Sequence, residues 1–341
     1  MQRPSIKQAA QTGLSEEHVE GRKDDYLGLF DTYGGSVDSR KAHYMGMVNN
    51  FYDLVTDFYE NGWGQSFHFA ARFEGESFKA SIARHEHYVA HRLGIHPGQK
   101  VVDVGCGVGG PMRAIARFSG ANIVGINNND YQIERGQTQN RLARLDHLCD
   151  FQKGDFLQMP FGDQDFDAAY AIEATCHAPD RVAVFSEVFR VLKPGSLFAS
   201  YEWCLTDNYR ANDAEHRRIK AGIEEGDALP DLVHTSVVVQ ALEKVGFEMV
   251  DARDMAYDCD PGTPWYLPLS SKERSLTGLR NSPAGRRATQ VMVDTLEKLR
   301  IAPKGSGEVH RFLCKGADAL VAGGEKEIFT PMFFVLARKP G

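Results

Sequence analysis

From residue 100 onward, apolar positions fall into short unbroken runs that alternate with stretches of helical spacing. Lys100–Val104, Asn122–Ile126, Asp150–Lys153, Phe166–Ala171 and Leu197–Trp203 are short and bounded by turn residues, so they read as strands buried on both faces. Between them, Pro111–Phe118, Tyr131–Leu142 and Asp180–Leu192 repeat apolar residues at helical intervals, the last stopped by Lys193-Pro194-Gly195. Such alternation predicts βαβ units, hence an α/β fold with a Rossmann-like parallel sheet and helices on both faces. Ser236–Val245 closed by Gly246 reads as a helix, Phe247–Arg253 as a strand, 286–300 and 306–322 as helices, and Glu327–Arg338 as a late strand. Ahead of this core, Ser77–Leu93 predicts a helix ended by Gly94.

The first 45 residues are polar and weakly periodic and read as a loosely packed lead-in. Phe51–Phe73 then gathers eight aromatics, among them Tyr59, Trp63 and Phe67, and Gly62 and Gly64 around Trp63 predict a break from helix to loop. At 341 residues the chain has room for about two folding units. Its 39 Lys and Arg against 46 Asp and Glu, a net charge of −7, argue against a nucleic-acid partner. No run of apolar residues is long enough for a transmembrane helix, and the opening residues lack the apolar stretch of a signal peptide. Six cysteines without a CxxC pair fit neither a zinc site nor a disulfide scaffold, so a reduced, cytosol-facing enzyme is expected.

The chemistry begins at Asp103-Val104-Gly105-Cys106-Gly107-Val108-Gly109-Gly110-Pro111, a strand running into a glycine turn and then a helix. Glycines let backbone approach a ligand closely, and the helix that follows offers free N–H groups. Gly105, Gly107 and Gly110 fit the dinucleotide pattern GxGxxG. Asp103-x-Gly105-x-Gly107-x-Gly109, with an acid just before the turn, favours S-adenosylmethionine (SAM) instead. Either cofactor ordinarily has an acid at the end of the second strand, where this chain has Asn127. Asp155 and Phe156 follow the third strand, where SAM enzymes place an acid and an apolar residue around adenine. Cys106 sits where a small side chain is needed and reads as steric.

The chain strongly resembles the sterol 24-C-methyltransferases. The resemblance runs from about residue 50 to the C-terminus. It rests on Tyr59-Glu60-Asn61-Gly62-Trp63-Gly64, Arg84-His85-Glu86-His87-Tyr88, Asp103–Pro111, Asn127–Tyr131, Ala171–Pro179, Tyr201-Glu202-Trp203 and Phe329-Thr330-Pro331-Met332. It implies a class I SAM-dependent methyltransferase with four regions: the lead-in 1–45, a substrate-binding segment 46–98, a cofactor-binding core 99–255 and a C-terminal sterol-methyltransferase domain 275–341. Asp103, Gly105, Cys106, Gly107, Gly109, Asn127, Asn128, Gln132, Asp155, Phe156 and Glu173 are then expected to hold SAM, and the family's usual asparagine accounts for Asn127. The family's aromatic motif has tyrosine where this chain has Asn61, so no role is carried over to that position.

The implied reaction places a methyl group on carbon 24 of a sterol side-chain double bond. A tertiary carbocation forms, a hydride shifts from carbon 24 to carbon 25, and loss of a proton gives a 24-methylene product. Groups that stabilise the displaced charge more than the starting sulfonium accelerate such a reaction. Aromatic faces do this without trapping the cation, and Tyr59 and Trp63 are the expected ones. Glu173, at the C-terminal end of the fourth strand, is the expected base; Glu60, Asp57, His87 and His177 are alternatives, and Glu202 occupies a similar place on the next strand. His87 and His91 lie four apart on a helix, but there is no HExxH and the reaction needs no metal. Methyl transfer to another prenyl or unsaturated lipid, or sterol carriage without catalysis, are the competing readings. The resemblance further implies a C-terminal region that covers the sterol and makes oligomer contacts. It also implies peripheral attachment to the cytosolic face of the endoplasmic reticulum, for which no basic cluster or anchor helix is evident in the sequence.

Overall fold

The computed structural model describes residues 36–272, 282–300 and 305–341, apart from the side chains at positions 54, 57, 58, 61 and 62. Its strands are β1 (Lys100–Val104), β2 (Asn122–Asn127), β3 (Cys149–Lys153), β4 (Phe166–Ile172), β5 (Leu192–Leu205), β6 (Glu248–Asp254) and β7 (Phe329–Arg338). They form one sheet in the order β3-β2-β1-β4-β5-β7-β6. The first five positions run parallel; β7 enters antiparallel between β5 and β6. The expected α/β sheet is therefore present, and its last strand is nearly wholly buried, as an unbroken apolar run requires.

Helices α1 (Val37–Ala42), α2 (Tyr44–Gly62) and α3 (Phe78–Leu93) precede the sheet. Within it and after it come α4 (Gly110–Ser119), α5 (Asp130–Ala143), α6 (Arg181–Val191), α7 (Ala214–Gly226), α8 (Thr235–Val245), α9 (Pro283–Lys298) and α10 (Ser306–Glu325). Successive strand residues pack on opposite sides. Val101 joins Val89, Met112 and Ile115 on one face, while Val102 joins Val184, Val188 and Leu242 on the other. Gly94 and Gly246 end their helices in the left-handed region, as expected.

Two segments differ from expectation. Residues 37–42, read as loose lead-in, are helical, and Arg40 is buried in an ion pair with Glu224 at 3.1 Å. Helix α7 had no counterpart in the sequence pattern; its exposed face is densely charged, which dilutes the apolar spacing of Ile219 and Ile223.

One irregularity matters for the site. Pro331 lies inside β7, where it cannot donate to the ladder, and the register with β5 slips there: Cys204 faces Thr330 but Glu202 faces Phe333. Trp203 stands at this bulge. Bulges re-aim side chains, and the indole of Trp203 is turned toward the end of β4.

Candidate active site

Four strand ends meet around one cavity of about 850 Å³, its open mouth included. The place, beyond the carboxyl ends of parallel strands, is where open α/β sheets bind ligands. Asp103, Gly105, Cys106 and Gly107 enter from β1 and its turn, Asn127 and Asn128 from β2, Phe156 from the loop after β3, and Glu173 and His177 from the loop after β4. Tyr44, Val48 and Tyr52 of α2 close the opposite side with Gln65, Phe67 and His68.

Backbone geometry makes the turn possible. Gly105 has φ 81°, and a Cβ there would stand 2.5 Å from the Cβ of Ala174, so only glycine lets the β1 and β4 loops touch. At Gly110 a Cβ would lie 2.0 Å from the carbonyl oxygen of Gln65. Because that neighbour is backbone, Gly110→Ala is expected to destabilise the fold by about 1–3 kcal/mol through overpacking and to weaken cofactor binding about tenfold, measured by thermal unfolding and titration calorimetry. Asn127 Nδ2 donates to the Gly107 carbonyl at 3.2 Å and to Gln132 Oε1 at 2.9 Å, tying the second strand's end to the glycine turn.

Glu173 is buried and has φ 53°, left-handed for a non-glycine residue. Its Oε1 accepts from the Phe69 amide and its Oε2 from the Trp203 indole, each at 2.7 Å. Burial pushes its pKa up to about 8, against the pull of His68 and of these two donors. Asp103 accepts from the Tyr170 hydroxyl at 2.9 Å, and burial pushes it up to about 7. Burial pulls the His68 imidazole down, but the Glu86 carboxylate at 3.3 Å outweighs it and holds the pKa above the ordinary histidine value.

His177 Nδ1 faces the Ala228 carbonyl at 3.1 Å, an acceptor only, so that nitrogen carries the proton. Nε2 then accepts from the Tyr52 hydroxyl at 3.0 Å. Burial lowers the His177 pKa to about 4, in keeping with a neutral ring. No lysine or arginine lines the cavity among the described residues, while two acids do. That charge balance suits a cationic ligand and opposes the diphosphate of a dinucleotide.

Of the residues expected to hold cofactor, Asp103, Gly105, Cys106, Gly107, Asn127, Asn128, Gln132, Phe156 and Glu173 line this cavity. Gly109 and Asp155 do not; Asp155 accepts from the Tyr44 hydroxyl at 2.6 Å and so fixes α2 from behind. Cys106 fills the space left by Gly125, whose Cβ would meet its sulfur at 2.5 Å.

The residues expected to be catalytic divide more sharply, since Glu173 is at the cavity whereas Tyr59, Glu60, Trp63 and His87 are not among its lining residues. Tyr59 packs edge-on to Phe51 and Phe67. Glu60 pairs with Arg135 at 2.5 Å, and His87 stacks on Phe118. Trp63 packs edge-on to Phe69 and Phe78, and its indole donates to the His68 carbonyl at 3.0 Å. It thereby holds the backbone whose next amide donates to Glu173. The Asp57 and Asn61 side chains lie outside the described ones. Glu202 is wholly buried against Thr175, behind the cavity wall. No described residue of 275–341 lines this cavity; α10 instead packs Val309 and Phe312 against Phe51 on the other side of α2. The sequence reading missed Tyr44 and Val48, although Tyr44, Val48 and Tyr52 recur every four residues, the signature of one helix face.

The strand order, the glycine turn and the acid-lined cavity together define a class I methyltransferase fold. A model of a methyltransferase domain matches residues 102–200, and a model of the sterol methyltransferase C-terminal region matches residues 276–341. The cycloartenol-C-24-methyltransferase 1 of rice (Oryza sativa subsp. japonica) is 53% identical over 96% of this chain and 94% of its own. The sterol 24-C-methyltransferase of Yarrowia lipolytica is 51% identical over 88% and 81%. Among solved structures, a geranyl diphosphate methyltransferase in complex with SAM is similar in fold, with a TM-score of 0.58 at 16% identity, covering 80% of this chain and 98% of that one. The chain belongs to the sterol 24-C-methyltransferase family.

Proposed function

We propose that this chain transfers a methyl group from SAM to carbon 24 of a sterol bearing a 24(25) double bond, yielding a 24-methylene sterol. The observation that carries the reading is a cavity lined by two buried acids and four phenylalanine and tyrosine rings, without any lysine or arginine among the described residues, at the carboxyl ends of β1, β2 and β4. When bound, SAM supplies an electrophilic methyl on a sulfonium. Gly105 and Gly107 leave the backbone room to approach it, and Asn127, Asn128, Gln132 and Phe156 are placed to receive its nucleoside end. Asp103 and Glu173 favour positive charge nearby.

Methyl transfer moves that charge onto the sterol side chain. Tyr44, Tyr52 and Phe67 line the cavity and can meet it, each worth about 0.5–2 kcal/mol when desolvated. Tyr52 is held by His177, so its ring is fixed. Glu173 takes the departing proton on a carboxylate oxygen; both of its oxygens are oriented by N–H donors, and position matters more than basicity beside a carbocation. Trp63 is a positioning residue that acts through His68 and Phe69. Trp63→Ala is accordingly expected to lower kcat about tenfold with KM for SAM little changed, as steady-state kinetics will read. Peripheral attachment to the endoplasmic reticulum and assembly into a homo-oligomer belong to the same proposal.

The test supplies methyl-labelled SAM with zymosterol, lanosterol or cycloartenol in turn and identifies products by mass spectrometry. Label on the side chain of at least one is expected. Label appearing only in a non-sterol prenyl lipid, or in none, would end the sterol reading.

A further inference from the structure

Helix α9 forms an outer layer, packed on α10, which in turn packs on α7 and α2. Its outward side is apolar: Val291 and Met292 are 60% and 55% exposed, and Leu299, just beyond its end, is 63% exposed. Arg287, Val291, Met292, Thr295, Lys298 and Leu299 recur at intervals of three and four and are all exposed, so they share that side. Both acids of the helix are turned toward α10. Glu297 accepts from the amides of Gly305 and Gly307 at 2.9 Å, and Asp294 accepts from Gln290 at 2.7 Å and faces Arg311 at 3.7 Å. Arg287 and Lys298 have no acidic partner among the described residues. In a chain of net charge −7, the described residues of this face carry only cations around its apolar strip.

We propose that this face rests on the anionic headgroup layer of a lipid bilayer. Val291, Met292 and Leu299 enter the boundary of the acyl chains, while Arg287 and Lys298 meet lipid phosphates, the pattern of a helix lying in the membrane plane. A second copy fits less well, because a two-fold contact would set the same cations against each other without an acid between them. The inference rests on the peripheral membrane attachment proposed above and assigns the face that makes it.

The experiment floats the full chain with sterol-free vesicles of phosphatidylcholine, with and without phosphatidylserine. Binding is expected to require phosphatidylserine and to fall at least about tenfold in Arg287→Glu/Lys298→Glu and in Val291→Ser/Met292→Ser/Leu299→Ser. Both variants should keep full turnover on detergent-dispersed sterol. Failure of the parent chain to bind, equal binding without phosphatidylserine, or unchanged binding by either variant would overturn the proposal. So would a dimer that becomes monomeric in the variants while vesicle binding persists, which would assign the face to a second copy. Since these vesicles contain no sterol, binding can fail while methyl transfer stands, and the reverse.

Discussion

Glu173→Gln is expected to lower kcat by two to four decades, roughly the contribution of a placed general base, while binding of SAM measured by calorimetry falls far less. The substitution does more than remove a charge. Both carboxylate oxygens accept from N–H groups, of Phe69 and of Trp203, and an amide offers one oxygen and one NH₂. One donor must therefore lose its acceptor. In the parent enzyme the base is active when ionised, and burial has pushed its pKa up to about 8. The logarithm of kcat/KM, which reports the free enzyme, should thus climb with pH below about 8 and level off above it, and the variant should lose that limb. A pH profile of the variant that keeps the parent's slope would remove Glu173 as base.

The second large effect falls on stability. Arg40 and Glu224 are each 6% exposed at the side chain, and Glu224 also accepts from Lys220 at 2.5 Å and from the Leu232 amide at 2.8 Å. Removing one partner of a buried pair leaves the other charge desolvated, at about 3–5 kcal/mol. Because Lys220 remains, Arg40→Ala is expected near the low end, about 3 kcal/mol, seen as a drop of roughly 5–10 °C in Tm. Arg40 leads into the helix that carries Tyr44 and Tyr52, so the loss should also soften the cavity wall. A melting curve superimposable on the parent's would show that this pair is not holding α1 in place.

The core was legible because a parallel sheet covered on both faces writes itself as short apolar runs, and the ligand edge followed from where those runs stop. That is how Asp103, Gly105, Asn127 and Glu173 could be placed together from sequence. The aromatic segment was harder. Tyr59 and Trp63 stand out as neighbours in a glycine-marked motif, whereas the rings at the cavity, Tyr44 and Tyr52, lie on a helix face that begins inside a polar stretch. Which face of α2 turns toward the sheet is decided by distant partners: Asp155 holding Tyr44, His177 holding Tyr52, Arg135 drawing Glu60 aside. No local pattern encodes those contacts. The exposed strip on α9 was hidden for a related reason, since its acids cancel its cations in the sequence and only the fold separates them.

Among the described residues, strand β6 finds its sole neighbour in β7, and β5 gains its second one there. During synthesis on the ribosome, both edges wait for a segment made well after them. The half-built sheet consequently exposes open strands until residues 329–338 emerge, a period in which edge-to-edge aggregation competes with completion. A nascent chain stalled before that point should lean on chaperones, and deleting part of residues 329–338 should cost solubility out of proportion to the length removed.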